Sequence, residues 1–552
     1  MNPEFFDRVS AWIEGDPDEN DRATLATLVR EGDEAELHRR FDAPLTFGTA
    51  GLRGPEMAGP AGMNRYSVRR ATQGVVAWIN ELGLDVSRGV VVGRDARHGS
   101  EAFNDEVVAV LLGAGVTVFE MPGALPTPLV AYGVKALHAA AGIMITASHN
   151  PPQDNGFKLY AADGAQIVPP HDATVERFAN EATTPQLGTR SSALHHVVDA
   201  ELLAKYQEHV VARFGVASGS QLRITYTPLH GVGGATMMEL FSAAGYEAVT
   251  PVSSQFASDG DFPTLAFPNP EEPGALDLAL ETASESNAAL IIANDPDADR
   301  LGAAVRGPGG WVVLRGDQIG WLLASTLLED ATAPGDTVAT SIVSSTLLAK
   351  MAEGANVKFV ETLTGFKWIA RSAGDGVLRF GYEEALGFAV DPLVADKDGM
   401  SAALALCHLA HQLAQKGETL LDRLDDIESR YGVHAVTQLS LRADGPQGLE
   451  KIATSLQRLV TSPPTRLGGL NVSDVVNLES GWHGLPPTEG MVLQLSGHGR
   501  VVVRPSGTEP KLKAYIEVLG ERGKNESLGQ ERNAAHAQLQ LVSDDLTELL
   551  KL

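Results

Sequence analysis

Short apolar runs separated by polar segments of helical spacing dominate most of this chain. Val90-Val91-Val92, Val116-Thr117-Val118-Phe119 and Ile143-Met144-Ile145 show no polar alternation. Runs of that length, bounded by turns, predict strands buried on both faces, as in a mainly parallel sheet. Between them lie helix-spaced segments such as Ala102 to Leu112. Strand and helix in alternation predict an α/β unit. The pattern starts at Phe47; residues 1 to about 45 are polar with helical spacing and read as a lead-in. A second round runs from Leu222-Arg223-Ile224-Thr225-Tyr226 to Ala289-Leu290-Ile291-Ile292-Ala293. A third runs from Val338-Ala339-Thr340-Ser341-Ile342-Val343 through Lys358-Phe359-Val360 to Arg379-Phe380-Gly381. Three rounds of similar size point to one fold used three times, although no internal sequence repeat is visible. The polar stretch from Thr183 to Ser192 predicts slack near the end of the first round.

The last segment has a different rhythm. Ala435 to Leu441, Val492 to Leu495, Arg500 to Val503 and Ala514 to Val518 read as strands joined by short turns, which predicts a mixed or antiparallel sheet with helices. The length of 552 residues accommodates about three to five domains.

Charge narrows the partners. A net charge of −27 and a pI near 4.9 argue against nucleic acid or an anionic membrane as the main partner. A phosphorylated small molecule stays open, because a local basic cleft can sit on an acidic body. The single cysteine, Cys407, excludes an intrachain disulfide framework and lies in an apolar helical stretch, so it reads as an inert core thiol. The N-terminus shows no basic region followed by an apolar one, so no signal peptide is expected. No run of about eighteen apolar residues occurs, so no spanning helix is expected and the expected compartment is the cytoplasm.

Three polar clusters carry the chemistry. Thr146-Ala147-Ser148-His149-Asn150-Pro151-Pro152 follows the apolar run Ala141 to Ile145 and places a serine in a turn at a strand end. Asp295, Asp297 and Asp299 follow another buried strand, at alternate positions of an extended loop. Three carboxylates aimed at one point repel one another unless a cation joins them. Hard oxygen ligands suit magnesium, with manganese and calcium also open. An EF-hand is excluded, since Arg300 stands at its sixth position, Arg306 at its twelfth, and a strand precedes it. Arg504-Pro505-Ser506-Gly507-Thr508 follows the strand Val501 to Val503 and offers a guanidinium, two hydroxyls and a flexible glycine to an anion, with Lys511 and Lys513 just beyond. Taken singly, each has a plain alternative: a capping serine, a solvated acidic turn, an ordinary loop. Tyr382-Glu383-Glu384-Ala385-Leu386-Gly387, Thr364-Gly365-Phe366-Lys367 and Asp396-Lys397-Asp398-Gly399 are weaker still, carboxylates and lysines beside glycine turns. Nucleophile, metal and phosphate grip together point to phosphoryl transfer.

As a set, these motifs closely resemble the α-D-phosphohexomutase family, the phosphoglucomutases and phosphomannomutases, over nearly the whole chain. Thr46 to Gly54, Tyr226 to Gly231 and Phe267 to Glu272 look like the branch that holds phosphoglucomutase-2-type enzymes and phosphopentomutases. The resemblance implies four domains around a central cleft, three related α/β domains and a smaller C-terminal α+β domain. We set these at residues 1–205, 206–320, 321–430 and 431–552. It implies that Ser148 is the phosphoserine and that Asp295, Asp297 and Asp299 hold magnesium, one ion per chain, with the serine phosphate as a further ligand. It places Arg53, His149, Lys158 and Lys397 among charge-stabilising and proton-transferring groups. Arg300, if turned inward, offsets charge on the transferring oxygens. Glu383 and its loop, with Lys367, read the sugar, and Arg504, Ser506, Gly507 and Thr508 hold the phosphate that is not transferred. Ala385 departs from the Glu-x-Ser of many members, so one hydroxyl contact is missing.

The expected reaction is reversible conversion of glucose 1-phosphate to glucose 6-phosphate through a sugar bisphosphate, with the 1,6-bisphosphate as activator. Phosphomannomutase and phosphopentomutase activities are the near alternatives; a metal-dependent sugar phosphatase and a sugar-phosphate sensor are more distant. The expected partner is a small sugar phosphate, and the expected state a monomer or homodimer.

Overall fold

The computed structural model describes residues 2–48, 51–216, 219–331, 333–443, 448–505, 511–521, 523 and 526–551. The chain divides into two compact units. One holds Met1–Leu314 and Leu386–His411; the other holds Arg315–Ala385 and Gln412–Leu552.

The first unit opens with the helical lead-in, three helices at Pro3–Gly15, Glu19–Glu31 and Glu34–Phe41. Asn2, Asp18 and Asp33 cap them by accepting backbone N–H bonds of the first turn. Val9, Leu25, Leu37 and Phe41 close a small core of their own.

Strands Leu52–Pro55 (β1), Val90–Arg94 (β2), Val118–Ala124 (β3), Ala141–Ile145 (β4), Asp154–Ala161 (β5) and His195–Val197 (β6) form a sheet in the order β1-β5-β4-β2-β3-β6. β2, β3, β4 and β6 run parallel, whereas β5 runs antiparallel to both neighbours. Apolar patterning missed β5 because Asn155 and Lys158 interrupt it, yet both are buried. The loop from β4 to β5 is too short for a crossover helix, so the strand must return antiparallel. A second sheet holds Ile224–Thr227 (β7), Val249–Pro251 (β8), Leu290–Ala293 (β9), Gly302–Gly307 (β10) and Gly310–Leu314 (β11), in the order β11-β10-β9-β7-β8. Its β7, β8 and β9 are parallel and its outer pair antiparallel.

In the second unit, Asp336–Ser341 (β12) lies between Lys358–Thr362 (β13) and Val377–Glu383 (β14), all parallel. Gly387–Ala389 (β15) belongs to the first unit, where Gly387 bridges Arg300. His434–Arg442 (β16) begins the last sheet, and Arg466–Leu467 (β17) with Leu470–Asn471 (β18) form a small hairpin. Asp474–Asn477 (β19), Met491–Gln494 (β20), Gly499–Pro505 (β21) and Lys511–Leu519 (β22) complete an antiparallel sheet ordered β16-β22-β21-β20-β19. Its core joins Val501, Val503 and Ile516 to Leu539 and Val542 of the helix Leu528–Leu549.

The three α/β sheets share one plan. In each, the first strand is central, the second lies on one side and the third on the other: β2/β3/β4, β7/β8/β9 and β12/β13/β14. That reversal opens a crevice at the carboxyl ends of the first and third strands. Ser148 follows β4, the aspartates follow β9, and Glu383 ends β14. Among the described residues, no helix is long and apolar enough to cross a membrane.

The stretch from Thr183 to Ser192 is not slack. Gly188 donates its N–H to Ala109 O at 2.8 Å. Arg190 reaches Glu120 and Asp105 at 2.6 and 2.7 Å. A Cβ on Gly113 would stand 1.9 Å from Gln186 O, so only glycine lets the segment lie against that helix. Polar composition hid this, because the anchors are backbone groups and a charged network. Gly113→Ala is therefore expected to destabilise this unit by about 1–3 kcal/mol, seen as a lower urea midpoint in far-UV circular dichroism.

Candidate active site

Ser148 sits where β4 ends and the chain turns back toward β5. Its φ is +52°, a left-handed conformation that costs a side-chain-bearing residue roughly 1–2 kcal/mol. The turn is held by local bonds. Thr146 Oγ1 accepts the Ser148 N–H at 2.9 Å, and Asn150 donates its amide to Asp154 at 2.9 Å. The result drives the Ser148 hydroxyl inward, only 2% exposed. Its Oγ donates to Asp295 Oδ2 at 2.8 Å and stands 3.2 Å from His149 Nδ1.

Asp295, Asp297 and Asp299 are fully buried, and one oxygen of each lies within 4.8 Å of the others. Each is gripped differently. Asp295 Oδ1 accepts the Arg300 backbone N–H at 3.0 Å. Asp297 Oδ2 accepts from Thr127 Oγ1 at 2.6 Å and Lys158 Nζ at 2.7 Å. Asp299 Oδ2 accepts from Lys158 Nζ at 2.7 Å and pairs with Lys397 Nζ at 3.1 Å. The Arg300 Nε lies 3.8 Å from Asp295 and 4.0 Å from Asp299. Among the described residues, the Oδ1 atoms of Asp297 and Asp299 are buried without a hydrogen-bond partner. A buried carboxylate oxygen without a partner is costly, and two of them within one carboxylate cluster are what a dication would satisfy. The donor set, all oxygen, fits a hard cation such as magnesium.

Burial alone pushes all three carboxyls up. Asp295 stays well above the usual range, with the charges of Asp297 and Asp299 adding to the rise. For Asp297 and Asp299 burial is outweighed, by Lys158 for both and by Lys397 and Arg300 for Asp299, and both fall below it.

The loop holding the aspartates is braced from below. The segment Pro228-Leu229-His230-Gly231 after β7 packs on it, with Val232 donating to Pro296 O at 2.8 Å. A Cβ on Gly231 would stand 2.3 Å from Pro296 Cα, which explains the glycine in that motif. Arg53, on β1 opposite Gly156, is half-buried and lies in the field of Asp297 and Asp299, which favour its charge against the cost of burial. Lys397 also pairs with Asp396 at 3.6 Å, and Asp396 accepts from Gln166 at 2.8 Å. The first unit therefore brings together Ser148, His149, Arg53, Lys158, Lys397, Arg300 and the three aspartates. Two further members escaped the sequence reading. Thr127 opens the helix Thr127–Ala136 beside Asp297, and Arg97 lies under the serine turn. Their signals, Pro126-Thr127-Pro128 and Arg94-Asp95-Ala96-Arg97 after a strand, are too common to read alone.

The remaining candidates belong to the second unit. Glu383 Oε1 accepts the Gly365 N–H at 2.6 Å, which joins the Glu383 loop to the Thr364–Lys367 loop. Lys367 is 7% exposed. Glu384 accepts from the hydroxyl of Ser344 at 3.0 Å and stands 3.3 Å from that of Ser341. Arg504 stands directly opposite Lys513, and Lys511 opposite Arg442, on adjacent antiparallel strands. Side chains at alternate and directly opposite positions share a face, so these four form a local basic patch. Ser506, Gly507 and Thr508 lie outside the described residues, as do Thr49 and Ala50 of the Thr46–Gly54 motif.

Comparison with known proteins gives four family matches in chain order. They are phosphoglucomutase/phosphomannomutase alpha/beta/alpha domain I over residues 44–186, domain II over 204–309, domain III over 315–431 and the C-terminal domain over 460–531. A probable phosphomannomutase of Haemophilus influenzae is 37% identical, over 84% of this chain and 94% of its own. A phosphopentomutase of Mus musculus is 33% identical over 95% of this chain and 92% of its own. A phosphoglucomutase of Staphylococcus aureus is 32% identical over 92% and 95%. The solved structure of a putative phosphomannomutase from Thermus thermophilus shares the fold, with TM-score 0.70 and 23% identity over 92% of this chain and all of that one.

Because Asp295 is raised, a proton competes there with a dication. Magnesium affinity is expected to weaken as pH falls through that raised range, by up to about tenfold per pH unit for one displaced proton. Calorimetric titration of magnesium at two pH values measures it; a pH-independent affinity contradicts the assignment.

Proposed function

The chain belongs to the phosphoglucomutase/phosphomannomutase family, and we propose that its reversible transfer of phosphoryl groups within a sugar phosphate runs through Ser148. The observation that carries this reading is the 2.8 Å bond from Ser148 Oγ to Asp295, beside two buried carboxylate oxygens that have no hydrogen-bond partner among the described residues. A nucleophile and a cation site share one place.

Phospho-Ser148 transfers its phosphoryl group to the free hydroxyl of the bound sugar monophosphate. The serine P–O bond breaks, a sugar O–P bond forms, the hydroxyl proton leaves to a base, and the serine oxygen takes up a proton to become the Ser148 hydroxyl. The bisphosphate then reverses in the site, and its other phosphoryl group returns to Ser148. His149, 3.2 Å from Ser148 Oγ, is placed to take the serine proton as that group arrives. Lys158 and Lys397 hold the aspartate cluster rigid and supply positive charge, and Arg300 and Arg53 add to it. Asp295, Asp297 and Asp299 would hold magnesium, which neutralises charge on the transferring phosphoryl oxygens. Glu383, with Lys367, would take sugar hydroxyls, and Arg504 with Ser506, Gly507 and Thr508 the phosphate at rest.

We take glucose 1-phosphate as the substrate and glucose 1,6-bisphosphate as the activator that keeps Ser148 phosphorylated. A phosphatase is disfavoured by the cationic face at Arg504, Lys511 and Lys513, since a hydrolase gains little from a second phosphate grip.

Replacing Ser148 by alanine should lower isomerisation by about a thousandfold or more, and should abolish the phosphoryl group that mass spectrometry is expected to find on the wild type. Isomerisation that survives the change removes the serine from the mechanism. Among glucose, mannose and ribose 1-phosphates, each primed with its own bisphosphate, glucose should give a kcat/KM about tenfold or more above the others, the worth of one hydroxyl contact. A pentose ahead of glucose would reassign the substrate and leave the chemistry intact.

A further inference from the structure

We infer that Arg97 is a positioning residue for the phosphoryl transfer: its guanidinium fixes the serine turn and ties it to the sheet that carries the aspartates. This inference rests on the reading of Ser148 as nucleophile.

Arg97 is 3% exposed and spends its terminal N–H groups on four backbone carbonyls of one turn. Nη2 donates to Ser148 O at 2.7 Å and Asn150 O at 2.6 Å. Nη1 donates to Pro151 O at 2.8 Å and Asp154 O at 3.0 Å. A guanidinium has a fixed planar fork of donors, so four acceptors converging on it leave the turn little freedom. Asp95 completes the setting. Its Oδ2 pairs with Arg97 Nε at 3.2 Å, and its Oδ1 accepts the Arg97 N–H at 3.0 Å and the Ser100 hydroxyl at 2.5 Å. The pair is close to neutral in charge, so its role is geometric.

The guanidinium lies over a ring from the loop between β8 and β9. Phe262, itself 2% exposed, has its centroid 5.0 Å from Arg97 Cζ. From there a continuous path leads to the metal loop. Phe262 donates to Asp259 O at 3.1 Å, Asp259 to His230 O at 3.0 Å, and Val232 to Pro296 O at 2.8 Å. Pro296 stands between Asp295 and Asp297. The separation of Ser148 from the aspartates is thus held by the direct bond to Asp295, by Lys158 on Asp297 and Asp299 and Thr127 on Asp297, and by the route through Arg97, Phe262 and the 228–232 segment. When Ser148 carries a phosphoryl group its Oγ no longer donates to Asp295, and of these routes the one through Arg97 still grips the serine turn itself.

Arg97→Ala, Arg97→Lys and Phe262→Leu test this against the wild type, at matched thermal unfolding midpoints. Turnover of glucose 1-phosphate is primed with glucose 1,6-bisphosphate, and Ser148 phosphorylation is followed by mass spectrometry. For Arg97→Ala we expect kcat to fall about a hundredfold, the cost of a misplacement near 1 Å, with KM within about threefold. Millimolar guanidinium chloride should restore about tenfold of the loss, which repair of a general structural defect would not do. Arg97→Lys, with one ammonium for four acceptors, should not rescue, and Phe262→Leu should lose about tenfold in kcat alone. A folded Arg97→Ala with kcat within twofold of wild type, or one deaf to guanidinium, overturns the inference. If Arg97→Ala fails to fold, Phe262→Leu decides, and unchanged kcat there overturns it. A wild type that never phosphorylates Ser148 removes the underlying reading, and this inference with it. A phosphorylated wild type with unaffected variants removes this inference alone.

Discussion

Three fully buried carboxylates in one small volume are the constraint around which the first unit is built. Burial and mutual repulsion both oppose their charge. The chain answers with Lys158 from β5, Lys397 from the Leu386–His411 segment and Arg300 from the aspartate loop itself. Breaking a buried pair of this kind typically costs about 3–5 kcal/mol, because an uncompensated charge is left behind. That explains why a lysine sits in the middle of a buried strand, and why the short segment around Lys397 packs with residues far ahead of it in the chain. The compensation is incomplete: among the described residues, Asp297 Oδ1 and Asp299 Oδ1 receive no hydrogen bond.

Sheet topology decides where such a cluster can form. Strand reversal opens a crevice at the ends of the first and third strands of each α/β sheet, and each of the three carries its polar motif there. One physical rule thus places the Ser148 turn, the aspartate loop and the Glu383 loop on three sheets with no visible sequence repeat. Hydrophobic burial preserves the plan, while the loops are free to carry different chemistry.

The second unit works with opposite signs. There Arg504 stands opposite Lys513 and Arg442 opposite Lys511 across neighbouring strands, a local basic patch on a protein of net charge −27.

The sequence by itself determined the strand ends, the order of α/β and antiparallel segments, and the residue types at each loop. These are set by local periodicity and by chemistry that needs particular side chains at fixed spacing, as in Asp295, Asp297 and Asp299. Only the tertiary structure decided which of the lone charges matter. Lys158 lay in a strand that patterning could not see, Thr127 and Arg97 sat in unremarkable turns, and the Thr183–Ser192 stretch looked loose until its backbone bonds were visible. Each acts through partners distant in the chain, Arg97 on the turn at Ser148 and Thr127 on Asp297. Neighbours of that kind are fixed by how sheets stack and strands reverse, and no local pattern records them.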